Sequence, residues 1–274
     1  MSVRLIVAPY DDGRLDWRMA RGARLIAAEA DAPAETVEEI DPGRPPIGRA
    51  FDLAAELAGR VRRARERGEL PIVLAGNCNS CVGTASALSG RVGVVWFDAH
   101  ADLDTPDDNR SGFFDVMALS ILTGRAWPAL AGTVPGFRPV ADEDVVMAAV
   151  RDLEPYQRDA LGRSGITTVP DAVDEQAFEA AVEQLAARVD SVYLHIDLDA
   201  LDAGDGRANQ YAAEGGPPAA ELLRRVELVH RRLPVEAVAL TSYDPDADPE
   251  RRVLGLALEL LRPPRPRAAP SAAA

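Results

Sequence analysis

Short apolar runs alternate with segments of helical period along almost the whole of this chain. Seven runs have the length and the β-branched content of buried strands; they cover residues 4–8, 72–75, 94–97, 145–150, 166–169, 192–196 and 235–240. Segments of helical period lie near residues 15–29, 51–67, 83–88, 115–122, 175–189, 218–232 and 251–261. Because a parallel strand needs a long crossover before the next one, this alternation predicts a mostly parallel sheet with helices on both faces.

The chain has no internal repeat and no linker that divides it, so we predict one domain over residues 1–262. Residues 263–274 are rich in proline and alanine and have no apolar face. This tail is predicted to be disordered.

Composition argues against several classes of function. The formal net charge of -14 argues against nucleic-acid partners and against binding to anionic membranes. All 30 basic residues are arginines, so the chain has no lysine for Schiff-base chemistry or for a phosphate-binding loop. The sequence contains no apolar run long enough to span a membrane, and its first residues lack the pattern of a signal peptide. These features predict a cytoplasmic protein.

Two acidic clusters each follow a predicted strand. Asp98-Ala-His100-Ala-Asp102 comes directly after one apolar run, and Asp197-Leu-Asp199 comes after another. Ligands of α/β proteins bind at the carboxyl ends of strands, and alternate residues of an extended segment face the same side. Four carboxylates converging with one imidazole repel one another unless a cation lies among them. Oxygen-rich ligation with one imidazole suits Mn²⁺ or a similar divalent ion, and the number of carboxylates favours two ions.

The order and spacing of five segments resemble the motifs of the arginase/agmatinase (ureohydrolase) superfamily over residues 4–260, nearly the whole chain. Asp98-Ala-His-Ala-Asp-Leu-Asp-Thr-Pro resembles D-A-H-x-D-x-N-T-P, and Ser111-Gly-Phe-Phe-Asp resembles S-G-N-x-H. His195-Ile-Asp-Leu-Asp-Ala-Leu-Asp resembles S-x-D-x-D-x-x-D. Ala75-Gly-Asn-Cys-Asn takes the place of G-G-D-H-S, and Val150-Arg-Asp-Leu-Glu resembles the segment that reaches the amino end of the substrate.

The resemblance implies a three-layer α/β/α fold with about eight mostly parallel strands, two Mn²⁺ ions and a small guanidino-type substrate. It also implies the ligands. One ion would be bound by Cys78, Asp98, Asp102 and Asp197, and the other by Asp98, His100, Asp197 and Asp199. A hydroxide between the ions would attack the guanidino carbon, and Asp102 would pass its proton to the leaving amine.

Cys78 stands where the family has a histidine ligand. A thiolate softens the site, so Fe, Co or Zn are alternatives to Mn²⁺. Cys78 and Cys81 also form a C-x-x-C pair, and a redox pair or half of a zinc site is the rival interpretation. We favour the ligand interpretation for Cys78 and expect Cys81 to be a buried helix residue.

Further departures concern the substrate and the protons. Ser242 replaces the carboxylate that faces the guanidinium, which favours a weakly basic guanidine such as Nω-hydroxy-L-arginine over arginine. Asp115 replaces the proton-shuttling histidine, so we expect activity at lower pH or slower proton return. Asp104 replaces an asparagine that binds an α-carboxylate. Ser111 and Glu154 complete the predicted substrate contacts, with Glu154 facing an amino group.

The predicted function is therefore that of a binuclear-metal amidinohydrolase, a hydrolase acting on C–N bonds in linear amidines. The substitutions resemble the branch that includes the Nω-hydroxyarginine amidinohydrolase of cycloserine biosynthesis. Three alternatives stay open: a non-catalytic metal-binding or ligand-sensing homologue, a hydrolase of another amidine or formimino compound, and a one-metal deacetylase-like hydrolase. The sequence leaves both a homo-oligomer and a monomer open.

Overall fold

A computed structural model of the protein describes residues 2–38, 40–169 and 175–262. Eight strands form one sheet in the order β4-β1-β5-β10-β9-β6-β7-β8, and every neighbouring pair in it is parallel. They are β1 (Val3–Ala8), β4 (Ala34–Thr36), β5 (Leu70–Ala75), β6 (Val92–Phe97), β7 (Val145–Ala148), β8 (Thr167–Val169), β9 (Ser191–Asp197) and β10 (Val235–Thr241). A short hairpin joins β2 (Tyr10–Asp11) to β3 (Arg14–Leu15).

Helices cover both faces of this sheet, so the predicted three-layer α/β/α fold is confirmed. The helices are α1 (Ala20–Glu29), α2 (Pro46–Glu66), α3 (Ser80–Ser86), α4 (Ala118–Leu122), α5 (Pro128–Ala131), α6 (Pro155–Arg163), α7 (Glu175–Ala186), α8 (Ala219–Arg232) and α9 (Arg252–Leu260). Residues of α2 to α6 pack in one apolar core, and residues of α1, α7, α8 and α9 pack in another. The strands contribute to both cores because their alternate side chains point to opposite faces.

Helix α1 begins five residues later in the chain than predicted. Residues 15–19 were expected to be helical, but β2 and β3 lie before α1, which begins at Ala20. Asp12 and Gly13 have φ values of 50° and 70°, the left-handed conformation that a tight hairpin turn requires. The Asp-Gly dipeptide was the sequence signal for this turn, and the helical period of the following residues masked it.

Other short elements were also missed. The prediction contained neither the edge strand β4 nor the helices α5 and α6. Both helices begin with a proline in their first turn, where its fixed φ favours a helix start. The predicted tail at 263–274 lies outside the described residues, and the single domain over 1–262 stays a prediction. Within the described ranges, no helix has both the length and the apolarity needed to cross a membrane.

The four central strands position the site. In the sheet β5, β10, β9 and β6 are neighbours, although in the chain they are far apart. Cys78 follows β5, Ser242 follows β10, Asp197 ends β9 and Asp98 follows β6. Since all four strands are parallel, their carboxyl ends bring these residues to one edge of the sheet.

Candidate metal centre and active site

A cavity of about 450 Å³ opens at this edge of the sheet. Every residue predicted to bind metal or substrate, except Asp104, lines this cavity. Its lining residues are Met19, Cys78, Asp98, His100, Asp102, Ser111, Phe113, Asp115, Val116, Asp152, Glu154, Gln157, Asp197, Asp199, Asn209, Tyr211 and Ser242. The clusters that the sequence places after separate strands therefore meet in one pocket.

Two sets of donor atoms in this pocket share one carboxylate. In the first, Asp98, His100 and Asp199 offer atoms that lie within 4.8 Å of one another. In the second, atoms of Cys78, Asp98 and His195 satisfy the same limit. A carboxylate has two oxygens, so Asp98 could contribute to both sets; its role as a bridging ligand, which the family resemblance implies, stays a prediction.

The charges of the pocket fit cations. Burial, together with the charges of neighbouring carboxylates, raises the pKa values of Asp102 and Asp197 well above the usual range. Burial likewise raises the pKa values of Asp98 and Cys78. Divalent ions that displace these protons would allow the carboxylates and the thiol to ionise. The residues present therefore fit a binuclear metal centre.

His100 lies between two of the predicted ligands. Its Nδ1 is 3.3 Å from Asp98 Oδ1 and 3.5 Å from Asp199 Oδ2. Although burial lowers the pKa of His100, the charges of Asp199 and Asp98 raise it well above its usual value. The ring therefore faces the carboxylates of Asp98 and Asp199, which form one donor set with it.

Cys78 contacts the other half of the centre. Its Sγ lies 2.9 Å from Asp197 Oδ2, 3.3 Å from Thr241 Oγ1 and 3.6 Å from Ser242 Oγ. Cys81 lies in α3, fully buried, and its Sγ lies 3.5 Å from the carbonyl oxygen of Ala118. The two cysteines thus have different partners, and both are free thiols.

Two residues that sequence reasoning missed hold Asp199 in place. Asn209 Nδ2 donates to Asp199 Oδ2 at 3.2 Å and to the Ser242 carbonyl oxygen at 2.8 Å. Arg151 comes from the segment expected to reach the substrate, yet its guanidinium points into the loop behind Asp199. Its nitrogens contact the carbonyl oxygens of Ala149, Asp199, Ala200, Leu201, Ala213 and Glu214 at 2.8–3.2 Å. No local motif signals such long-range contacts.

Asp115 lies in a polar nest at the side of the cavity. Its carboxylate accepts hydrogen bonds from Asn77 Nδ2 at 2.9 Å, from the Asn79 backbone N–H at 3.0 Å and from Asn79 Nδ2 at 2.9 Å. Burial raises the pKa of Asp115 to about 7. The expectation of activity at lower pH assumed an ordinary aspartate, and this burial removes its basis.

Asp104 is not among the residues that line the cavity, and its contact with substrate stays a prediction. Its carboxylate accepts hydrogen bonds from Tyr156 Oη at 3.0 Å and from Gln157 Nε2 at 2.8 Å. Asp102 has a left-handed backbone with a φ of 50°, so the direction of the chain changes before Asp104.

The outer part of the cavity is acidic and aromatic. Asp152 and Glu154 line it with exposed side chains, and the rings of Phe113 and Tyr211 stack at a centroid distance of 5.7 Å. Ser111 Oγ donates to Asn109 Oδ1 at 3.0 Å within its own turn.

Ser242 lines the floor of the cavity and is 3% exposed. Asp244, the nearest acidic residue along the chain, is not among the lining residues; its carboxylate accepts hydrogen bonds from Arg21 and from the Asp246 backbone N–H.

His195 and Trp96 lie below the floor. The two rings stack with centroids 3.6 Å apart and an interplanar angle of 12°. Trp96 Nε1 donates to Asp98 Oδ2 at 3.0 Å, and Tyr193 Oη lies 2.6 Å from His195 Nδ1. Complete burial lowers the pKa of His195 well below its usual value, so the ring is neutral. Trp96 therefore orients the carboxylate of Asp98.

Comparison with known proteins agrees with this fold. The profile of the Arginase family matches residues 17–263. Arginase from Staphylococcus aureus (strain MRSA252) is 30% identical over 207 residues, which cover 72% of this chain and 68% of that protein. The structure of arginase from Bacillus cereus has a TM-score of 0.83 at 22% identity, covering 95% of this chain and 97% of that chain.

A formimidoylglutamase from Bacillus subtilis also has this fold, with a TM-score of 0.76 at 13% identity, covering 95% of this chain and 85% of that chain. At these identities the solved structures establish the fold, and the profile match with the sequence relative establishes the family. The superfamily predicted from the motifs is confirmed. This chain belongs to the arginase family of ureohydrolases, enzymes that hydrolyse C–N bonds in linear amidines.

Proposed function

We propose that this protein is a binuclear-metal amidinohydrolase that hydrolyses a weakly basic guanidine, favouring Nω-hydroxy-L-arginine over arginine. The observation that carries the proposal is the buried hydroxyl of Ser242, 3.6 Å from Cys78 Sγ, at the position where the family motif has a carboxylate. A protonated guanidinium entering this floor would lose water without gaining an anionic partner of its own. A guanidine that is neutral at working pH avoids that penalty.

The residues of the pocket have separate tasks in this proposal. When bound, Mn²⁺, or Fe, Co or Zn in its place, would supply a hydroxide at neutral pH and polarise the C=N group. The ions would be held by Cys78, Asp98, His100, Asp102, Asp197 and Asp199. The buried carboxylate of Asp102 takes up a proton and releases it to the leaving amine. Asp115 lines the same cavity and would exchange this proton with solvent there, held in position by Asn77 and Asn79.

The acidic outer wall supports a substrate that carries an amine at its far end. The carboxylates of Asp152 and Glu154 line this wall, and the described lining residues include no arginine. An amino group would contact these acids, whereas an α-carboxylate would depend on hydroxyl and backbone donors such as those near Ser111. Agmatine has the amine but lacks the α-carboxylate. Comparing its hydrolysis with that of arginine therefore shows whether the pocket requires the carboxylate.

The test is a product screen by mass spectrometry. Mn-loaded protein would be offered arginine, Nω-hydroxyarginine, agmatine, guanidinobutyrate and formiminoglutamate, with Cys78→Ala protein as the control. We expect hydroxyurea release from Nω-hydroxyarginine with kcat/KM about 100-fold above that for arginine, equivalent to about 2.7 kcal/mol. Equal or faster hydrolysis of arginine would contradict the role assigned to the lost carboxylate.

A matched pair of variants tests the floor directly. Ser242→Glu restores a carboxylate and should narrow the preference between the hydroxylated and the plain guanidine, whereas Ser242→Gln adds the same volume without charge. If both variants change the ratio equally, volume rather than charge controls selectivity. Turnover of an amidine or formimino compound alone would favour that alternative substrate class. Two bound metals without turnover of any compound would favour a ligand-sensing homologue.

A further inference from the structure

His195 is a buried imidazole that the proposed metal centre does not use. It lies on β9 two residues before Asp197, so both side chains point to the same face of the sheet. Stacking on Trp96 and the 2.6 Å contact between Nδ1 and Tyr193 Oη fix the plane and the rotation of the ring. Its remaining nitrogen, Nε2, is held in one direction.

That direction is toward the metal ligands. Nε2 lies 3.5 Å from Thr241 Oγ1, a hydroxyl that is itself 3.3 Å from Cys78 Sγ and 3.4 Å from Asp197 Oδ2. Ligand atoms of His195, Cys78 and Asp98 lie within 4.8 Å of one another. Donors on one tetrahedral zinc-sized ion lie about 3.5 Å apart, from the Zn–N and Zn–S bond lengths. Side-chain movements of about 1 Å would therefore place all three on one ion.

Two substitutions complement each other here. Position 78 has cysteine where the motif has histidine, and position 195 has histidine where the motif S-x-D-x-D begins with serine. The thiol of Cys78 reaches less far from the backbone than an imidazole does. The ring of His195 approaches the same donor group from below the floor of the cavity.

We propose that His195 Nε2 is a ligand of the ion bound by Cys78 and Asp98. The inference rests on the proposed function and deepens it. The donor set of this ion contains thiolate, imidazole and carboxylate, which suits Zn, Co or Fe(II) better than Mn²⁺. Nδ1–H then donates to Tyr193 Oη, the kind of outer contact that orients metal-bound histidines.

Proton NMR of the protein loaded with Co²⁺ counts imidazole ligands directly, because the N–H of each bound ring is shifted far outside the normal range. The chain has three histidines. We expect two such signals, from His100 and His195. His195→Ser should remove one signal and keep the thiolate-to-cobalt charge-transfer absorption of Cys78. His230→Gln, on the distant helix α8, is the matched control and should remove none.

Tyr193→Phe tests the outer contact. It should keep both shifted signals, move one of them and weaken cobalt affinity about 10-fold. One shifted signal in the unaltered protein with two cobalt ions bound overturns the inference and leaves the proposed function intact. Failure to bind cobalt at all overturns both. The number of shifted signals in the unaltered protein tests whether His195 binds the ion even if His195→Ser does not fold.

Discussion

Arg151 provides the sharpest test of how the metal-binding loop is built. Its guanidinium contacts six carbonyl oxygens, three of which belong to the loop that begins at Asp199. The group has five N–H donors, whereas a lysine ammonium has three. Arg151→Lys therefore keeps the positive charge and loses at least half of the contacts.

The expected cost follows from the number of contacts. At about 1 kcal/mol for each N–H donor that loses its partner, Arg151→Lys should lower the free energy of unfolding by about 2 kcal/mol. Arg151→Met loses all five donors and should cost about 5 kcal/mol, a large part of the stability of a typical protein. The two variants together separate the loss of geometry from the loss of charge.

The assay is urea unfolding of metal-free protein, because bound ions would add their own stabilisation. Arg158→Lys is the control: this arginine is exposed and makes one 3.5 Å contact with a carbonyl oxygen, so a change within about 0.5 kcal/mol is expected. Metal affinity at Asp199 should fall with stability in Arg151→Lys. A stability of Arg151→Lys equal to that of Arg158→Lys would refute the view that this guanidinium holds the loop.

Three further predictions concern other parts of the molecule. Hydrogen bonds from Arg4 and Arg67 lower the pKa of Glu69 from 4.5 to about 2. The ionised Glu69 therefore stabilises the fold above pH 4.5, and this stabilisation is lost as the pH falls toward 2. Glu69→Gln should lower the free energy of unfolding by about 1 kcal/mol at neutral pH and weaken the pH dependence of unfolding between pH 4.5 and 2. A Cβ at Gly83 would lie 2.2 Å from a carbonyl oxygen of α2, so Gly83→Ala should lower the free energy of unfolding by about 1–3 kcal/mol. Gly255 has open space around it, so Gly255→Ala should raise the free energy of unfolding by about 0.4–1 kcal/mol. Denaturant unfolding in which both variants change stability in the same direction would contradict this. Asp115→Asn should lower kcat about 100-fold with metal content unchanged and abolish a fall in rate below the pKa of about 7; a retained acid limb in the pH–rate profile would assign it to another group.

Much of the fold was predictable because period and strand content are local properties. The alternation of apolar runs and helical segments predicts a parallel sheet, and parallel strands bring their carboxyl ends together. Asp98 and Asp197 could therefore be placed at one site from their positions alone. The short elements were missed because β4 and α5 have too few residues to carry a period.

The features that the sequence could not predict depend on long-range contacts or on a positive backbone φ. Asp104 was expected at the substrate from its place in the family motif, but the left-handed φ of Asp102 turns the chain before it. Asn209 and Arg151 contact the Asp199 loop from other segments, and nothing in their neighbours marks them. The pKa of Asp115 depends on burial that only the packed structure provides.

The number of metal ions per chain tests the central claim most directly. Protein loaded with Mn²⁺ or Co²⁺ and freed of excess ion would be analysed by mass spectrometry of the metals, alongside Asp98→Asn. Because both donor sets share Asp98, the account predicts two ions in the unaltered protein and the loss of at least one in the variant. A single ion in the unaltered protein, or two ions still bound with unchanged affinity in Asp98→Asn, would contradict a binuclear centre bridged by this carboxylate.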